Sequence, residues 1–275
     1  NERDGDVTLR KALERSNNVV AVKLLSRVGI EPVIENAHRL GIQSPLGANL
    51  SLALGSSEVT PLELASAYSV FAADGMRCEP QAYSVVEDRA GMVVERNDPR
   101  PVRVFDADPI RTLNDVMMGV VRWGTGAAAN IGRPAAGKTG TTSDHRDAWF
   151  VGYTPDLVGL VWVGNDDNSK MVGGTTGGGV CAPLWGKLMS FALNSASPSA
   201  FPLPKEATVP KAPKAGQASR STGVTDFYVP GGDADPAKKP KITLPDPESV
   251  RHDGDAASSS SGADGDASQI LQDMQ

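Results

Sequence analysis

The chain has 275 residues, enough for one large domain or two small ones and for a sizeable buried core. Its net charge of −6 and pI near 5.2, without any cluster of Lys and Arg, argue against nucleic acid as a partner. Two distant cysteines, Cys78 and Cys181, match no metal-ligand spacing, and the longest apolar run, Leu157 to Val163, is too short to span a bilayer. No metal or cofactor is expected. The chain begins at Asn1 with no signal-like segment, and is expected to be a piece of a longer protein whose membrane anchor lies elsewhere.

Taken in order, Thr8 to Val28 carries Leu9, Leu13, Val20, Leu24 and Val28 at roughly helical spacing. Ser16-Asn17-Asn18 interrupts it with residues that prefer caps and turns, so two short helices are expected, the second ending near Gly29. A further helix is expected over Glu31–Leu40, closed by Gly41, followed by a loop from Gln43 to Ser57. Thr60 as N-cap, Pro61 at N1 and Glu63 at N3 form a capping-box signature. The helix they open presents Leu64, Ala67, Tyr68 and Phe71 on one face and stops at Gly75.

Between Ala82 and Phe105 the apolar period switches to two around Arg89-Ala90-Gly91, which predicts a hairpin. Asp108-Pro109 should start another helix, with Ile110, Leu113, Met117, Val120 and Val121 inward and Gly124 as its stop. Strands follow at Gly137–Thr142, Ala148–Thr154 and Leu157–Gly164, the last two joined by a Pro155-Asp156 turn. Gly173–Gly179 reads as a flexible connection to a last helix, Ala182–Leu193, whose Leu184, Trp185, Leu188 and Phe191 should pack on the sheet. Trp149, Phe150 and Trp162 read as core. Beyond Asn194, where 10 of the 20 prolines lie, a disordered tail is expected over 195–275, leaving 1–194 as the folded part.

The stretch Gly132 to Phe150 carries two incompatible motifs. Gly132-x4-Gly137-Lys138-Thr139 fits a phosphate-binding loop, and Lys138-Thr139-Gly140-Thr141 fits the substrate strand of enzymes that acylate a serine. A phosphate loop needs a buried strand before it and a helix after it. Here Gly124-Thr-Gly-Ala-Ala-Ala-Asn-Ile131 precedes it, Gly140 follows where a helix should begin, and Pro134 removes an N–H. The context disfavours that reading, and a P-loop nucleotide-binding protein, to which the apolar strand Leu157–Val163 running into Asn165-Asp166 would add a Mg²⁺-binding strand end, stays as the remote alternative.

The acyl-serine reading fits the local order. On a strand, Thr139 and Thr141 share one face, where their hydroxyls can hold a carboxylate, while Lys138 and Gly140 take the other. Ser16 and Asn18 can both project from a turn into one cleft, Ser16 to pass protons and Asn18 to hold an amide carbonyl. Asp144-His145-Arg146-Asp147 fits no metal template and reads as a solvated loop; no Gly-x-Ser-x-Gly is present for a hydrolase triad.

Four segments, in order, then carry a resemblance. Ala12 to Leu24 around Ser-x-Asn, Leu52 to Tyr68, Gly137 to Thr142, and Asp147 to Pro155 together resemble the C-terminal half of the transpeptidase domain of class A penicillin-binding proteins, over about residues 7–193. The resemblance implies an α+β, penicillin-recognising serine acyltransferase fold, an antiparallel sheet flanked by helices, here N-terminally incomplete. It implies catalytic roles for Ser16, Asn18 and Lys138, substrate binding by Thr139, Gly140 and Thr141, and the Thr141 N–H as an oxyanion donor.

It further implies the substrates, peptidoglycan stem peptides ending in D-Ala-D-Ala, and β-lactams as ligands. The parent would be anchored at the periplasmic face of the cytoplasmic membrane and carry a glycosyltransferase domain upstream. A β-lactamase or β-lactam sensor of the same fold is the alternative. One departure matters: no serine in the chain has Lys three positions later, so the Ser-x-x-Lys nucleophile of the family is absent. The strand at Leu157–Gly164 is then expected to have an unpaired edge.

Overall fold

The computed structural model describes residues 7–205. A three-stranded antiparallel sheet organises them, β5 (Ala136–Thr141), β6 (Asp147–Tyr153) and β7 (Val158–Gly164), in the order β5-β6-β7. Among the described residues both β5 and β7 are therefore edges. The pairing sets Lys138 opposite Val151, Thr139 opposite Phe150 and Gly140 opposite Trp149.

Strand alternation splits the core in two. On one face Ala148 and Phe150 meet Trp185, Met189 and Cys181; on the other, Ala136 and Tyr153 meet Met117 and Met118. Helices α4 (Pro61–Ala72) and α5 (Ala107–Arg122) cover the second face, and α6 (Ala182–Ala192) covers the first. Asn114 of α5 is buried but satisfied, accepting from the Tyr153 hydroxyl at 2.7 Å and donating to the Phe71 carbonyl at 2.9 Å.

The N-terminal helices fall where the sequence places them: α1 (Leu9–Glu14), α2 (Asn18–Val28) and α3 (Ile30–Leu40), the last closed by Gly41 in a left-handed conformation. The expected loop at 43–57 contains one 3-10 turn, Leu50–Leu54. The hairpin is present as β2 (Val85–Glu87) and β3 (Val93–Arg96), and a two-residue pair, β1 (Met76–Arg77) and β4 (Val102–Arg103), frames it.

Four expectations change. Helix α5 begins at Ala107 with Asp106 as N-cap, two residues before the Asp-Pro signal; Pro109 is tolerated in the first turn, where no intrahelical N–H partner is lost. On α6 only Trp185 of the four expected residues packs inward. The buried face is Ala182, Trp185, Gly186, Met189 and Leu193, while Leu184, Leu188 and Phe191 are 45%, 51% and 85% exposed. Trp162 is likewise 44% exposed and not core. The boundary at 194 also moves, because Phe201 is buried edge-on against Tyr153 at 5.7 Å and Ser199 bonds Asp156. The remainder of the expected tail, from residue 206, lies outside the described residues.

The capping box at α4 is complete, and its Glu63 carboxylate does more than cap. It accepts from the Ser44 hydroxyl at 2.7 Å, the Gln43 and Ser44 amides at 2.7 and 2.8 Å, and the Thr60 amide at 3.0 Å. These donors, the Ser44 hydroxyl foremost, hold its pKa down to about 2. A carboxylate so depressed contributes stability above its unfolded value of 4.5 and loses it as pH falls towards 2. Glu63→Gln is therefore expected to lower the melting temperature at pH 7. Melting curves repeated down to about pH 2 should show the deficit closing through that window.

Candidate active site

Ser16 is positioned by a helix end. The Asn17 amide donates to the Ala12 carbonyl at 2.8 Å and the Ser16 amide to the Leu13 carbonyl at 3.1 Å, a Schellman arrangement closing α1. Its left-handed position, which usually takes Gly, is filled by Ser16 at φ 54°. A non-glycine residue held there is a strained conformation, of the kind that clusters at functional sites. Asn17 then caps α2 through Val20 N at 3.1 Å, and Asn18, exposed, is the first residue of that helix.

Across 122 residues of sequence, Lys138 of β5 meets this turn. Its ammonium donates to Ser16 Oγ at 2.7 Å and to the Thr139 carbonyl at 3.0 Å. Desolvation pulls the Lys138 pKa down to about 8, so it stays mostly protonated at pH 7 and can lose its proton within the working range. The ladder leaves one edge of β5 unpaired among the described residues. Since Thr142 N donates to Asp147 O, alternation aims the Thr139 and Thr141 N–H groups off the free edge of the sheet.

Both threonine hydroxyls already have protein partners, which the sequence does not reveal. Thr139 Oγ1 lies 2.8 Å from Thr125 Oγ1, and Thr141 Oγ1 accepts from Gly177 N at 3.0 Å. Each hydroxyl has one hydrogen to give. Thr141 keeps its hydrogen, while Thr139 is free to donate outward only when Thr125 donates to it. Thr125 also ties the cleft together, its amide donating to the Glu14 carbonyl at 3.1 Å, two residues from Ser16. No motif marks Thr125; only its place after Gly124, where α5 has ended, hinted at a loop.

Gly177 and Gly178 correct the expected flexible connection. A Cβ on Gly177 would lie 2.2 Å from the Trp149 carbonyl oxygen and 2.5 Å from that of Gly140, and one on Gly178 would lie 2.5 Å from the Thr125 carbonyl oxygen. Residues 177–181 form a single π-helical turn, capped by Thr176, that supports β5 from behind. Gly173 and Gly174, by contrast, face open space. Ser16, Lys138, Thr139, Gly140 and Thr141 thus come together at one edge. Asp144 instead pairs with Lys170 at 3.0 Å and His145 Nδ1 with the Thr175 carbonyl at 2.9 Å, contacts that staple loops to one another. Among the described residues no group of His, Cys, Asp and Glu could hold a metal.

Residues 1–190 match the family described as "Penicillin binding protein transpeptidase domain". The chain belongs to this family. Its relatives include penicillin-binding protein 1A of Aquifex aeolicus, 41% identical over 203 residues, covering 74% of this chain and 28% of the relative. Penicillin-binding protein 1A of Neisseria gonorrhoeae is 38% identical over 212 residues, covering 73% and 26%. The chain therefore spans about a quarter of the length of the curated relatives it matches.

Solved penicillin-binding structures agree. Penicillin-binding protein 1A from Haemophilus influenzae superposes with a TM-score of 0.68 at 27% identity, over 74% of this chain and 36% of that one. PonA1 from Mycobacterium tuberculosis, solved in complex with penicillin V, gives the same score and identity over 74% and 61%. The α+β, penicillin-recognising fold expected from sequence is the one present, and the phosphate-loop reading of Gly132–Thr139 falls: Gly137 to Thr139 lie on a strand.

Within that site, Thr125→Val is expected to slow acylation of the full-length protein by penicillin about tenfold, the scale of one lost hydrogen bond. Thr125→Ser should stay near wild type. Stopped-flow acylation rates check both.

Proposed function

We propose that this chain supplies one wall of a D,D-transpeptidase site in a longer class A peptidoglycan synthase. The observation that carries the reading is the 2.7 Å contact between Lys138 Nζ and Ser16 Oγ beside a free strand edge. Lys138, as a cation, attracts the terminal carboxylate of a stem peptide or β-lactam, and the hydroxyls of Thr139 and Thr141 complete its recognition. The same ammonium donates to Ser16, which leaves the Ser16 hydrogen free to pass to a leaving amine. Asn18 holds the substrate amide, Gly140 lets the peptide lie flat on the edge, and the Thr141 N–H stabilises the oxyanion.

The nucleophile of this reading is a serine of a Ser-x-x-Lys motif upstream of Asn1. It attacks the penultimate D-Ala carbonyl and releases terminal D-Ala; a neighbouring stem amine or water then resolves the acyl-enzyme. The parent would be anchored in the cytoplasmic membrane with this domain outside it, a glycosyltransferase domain further upstream, and no cofactor. No described helix is long and apolar enough to cross a membrane.

The reading is tested by incubating the full-length protein with a pentapeptide stem ending in D-Ala-D-Ala. Released D-Ala and cross-linked dimers, both blocked by penicillin, are expected; rapid penicillin hydrolysis without cross-linking would make the protein a β-lactamase. Acylation should also fall as pH rises through about 8, because Lys138 then loses the proton that serves Ser16 and the carboxylate. A rate unchanged from pH 7 to beyond 9 would contradict that role for Lys138.

A further inference from the structure

Helix α1 is six residues long, too short to hold its own place, yet it carries Ser16 at its end. Something must fix it against the sheet. Glu14, its last residue, is only 8% exposed, and its Oε1 is fully buried without a hydrogen-bond partner. Burying a carboxylate oxygen unpaired costs stability, so its retention asks for another account.

The surroundings supply one. Glu14 lies in a notch at the C-terminal end of α5 that exists only because Gly119 of the helix and Gly124 just beyond it are glycine. A Cβ on Gly119 would stand 2.1 Å from Glu14 Oε1 and 2.7 Å from its Cδ; a Cβ on Gly124 would stand 2.4 Å from the Glu14 carbonyl oxygen. That carbonyl accepts from Thr125 N at 3.1 Å, so side chain and backbone of Glu14 are both seated on the C-terminal end of α5. Arg10, a turn earlier, pairs with Asp115 of the same helix. The Schellman bonds then carry the position of α1 directly to Ser16. Helix α5 in turn packs against β5, the strand that holds Lys138.

We propose that Glu14 is a positioning residue: seated in the Gly119–Gly124 notch, it sets the approach of Ser16 to Lys138. The inference rests on the transpeptidase reading above. Glu14 touches no substrate in this account. Its shape in the notch matters, and its charge does not.

A double-mutant cycle in the full-length protein tests this, read by the penicillin acylation rate and binding constant, with melting temperatures alongside. Gly119→Ala should cut the acylation rate about 100-fold by pushing Glu14 and the Ser16 turn away, and Glu14→Ala about tenfold by loosening the seat. Penicillin affinity before acylation should change little, since Lys138, Thr139 and Thr141 are untouched.

The double variant should recover to the level of Glu14→Ala alone, because the clash is gone. Glu14→Gln, of the same shape, should remain within about threefold of wild type, a difference smaller than one hydrogen bond. Multiplicative losses in the double variant, or a Glu14→Gln variant as slow as Glu14→Ala, would overturn the proposal while a labelled wild type left the transpeptidase reading standing. A wild-type protein that penicillin never labels would overturn both.

Discussion

Replacing Lys138 with alanine is expected to lower the rate of penicillin acylation of the full-length protein about 10³-fold, the scale of a lost preorganised electrostatic group. Two interactions vanish at once: the donor to Ser16 Oγ at 2.7 Å and the only ammonium at this strand edge among the described site residues. The fold should survive, because Lys138 contributes a side chain to the cleft while its backbone keeps its place opposite Val151.

Stability should even rise slightly. A lysine whose pKa falls from 10.5 to about 8 on folding penalises the folded state below pH 8, and the penalty fades as pH climbs towards 10.5. Lys138→Ala should thus match or exceed the wild-type melting temperature at pH 7, and the advantage should shrink above pH 8. Lys138→Arg keeps a charge but not a compact donor, so it should restore little of the rate. A Lys138→Ala protein that acylates within tenfold of wild type would contradict the role.

Gly177→Ala is expected to damage stability and acylation together. The added methyl meets two backbone carbonyl oxygens, of Trp149 and Gly140, at 2.2 and 2.5 Å. Neither can swing away as a side chain could. Either β5 shifts against β6 or the π-turn at 177–181 lifts off, and the Gly177 bond to Thr141 Oγ1 breaks in both cases. Overpacking of this kind costs about 1–3 kcal/mol, and a displacement near 1 Å at a reacting strand costs about 100-fold in rate. Gly173→Ala is the matched control, since nothing lies within 4 Å of a Cβ there and its φ is ordinary. Melting temperature and acylation rate should separate the two variants clearly.

The Ser16 turn was legible because Ser-Asn-Asn interrupts a helical period, and β5 because Lys-Thr-Gly-Thr precedes two apolar strands. The capping box at Thr60–Glu63 was legible because its chemistry is local. Thr125, Glu14 and Gly177 were not, since each acts through a partner far along the chain: Thr139, Gly119 and Gly140. Helix α6 misled for a related reason. Its sequence offers two apolar stripes, and only the small residues Ala182 and Gly186 beside Trp185 reveal which one fits against a sheet. The packed region runs past Asn194 because a single aromatic, Phe201, outweighs a proline-rich context once Tyr153 offers it a partner.

The central claim is that this strand and turn serve a serine that lies outside these 275 residues. Peptide mapping by mass spectrometry, after labelling the full-length protein with penicillin, tests it most directly. The account predicts one adduct, on the serine of a Ser-x-x-Lys sequence upstream of Asn1, formed about 10³-fold more slowly when Lys138 is replaced by alanine. An adduct on Ser16 or on any other serine within this chain would contradict it.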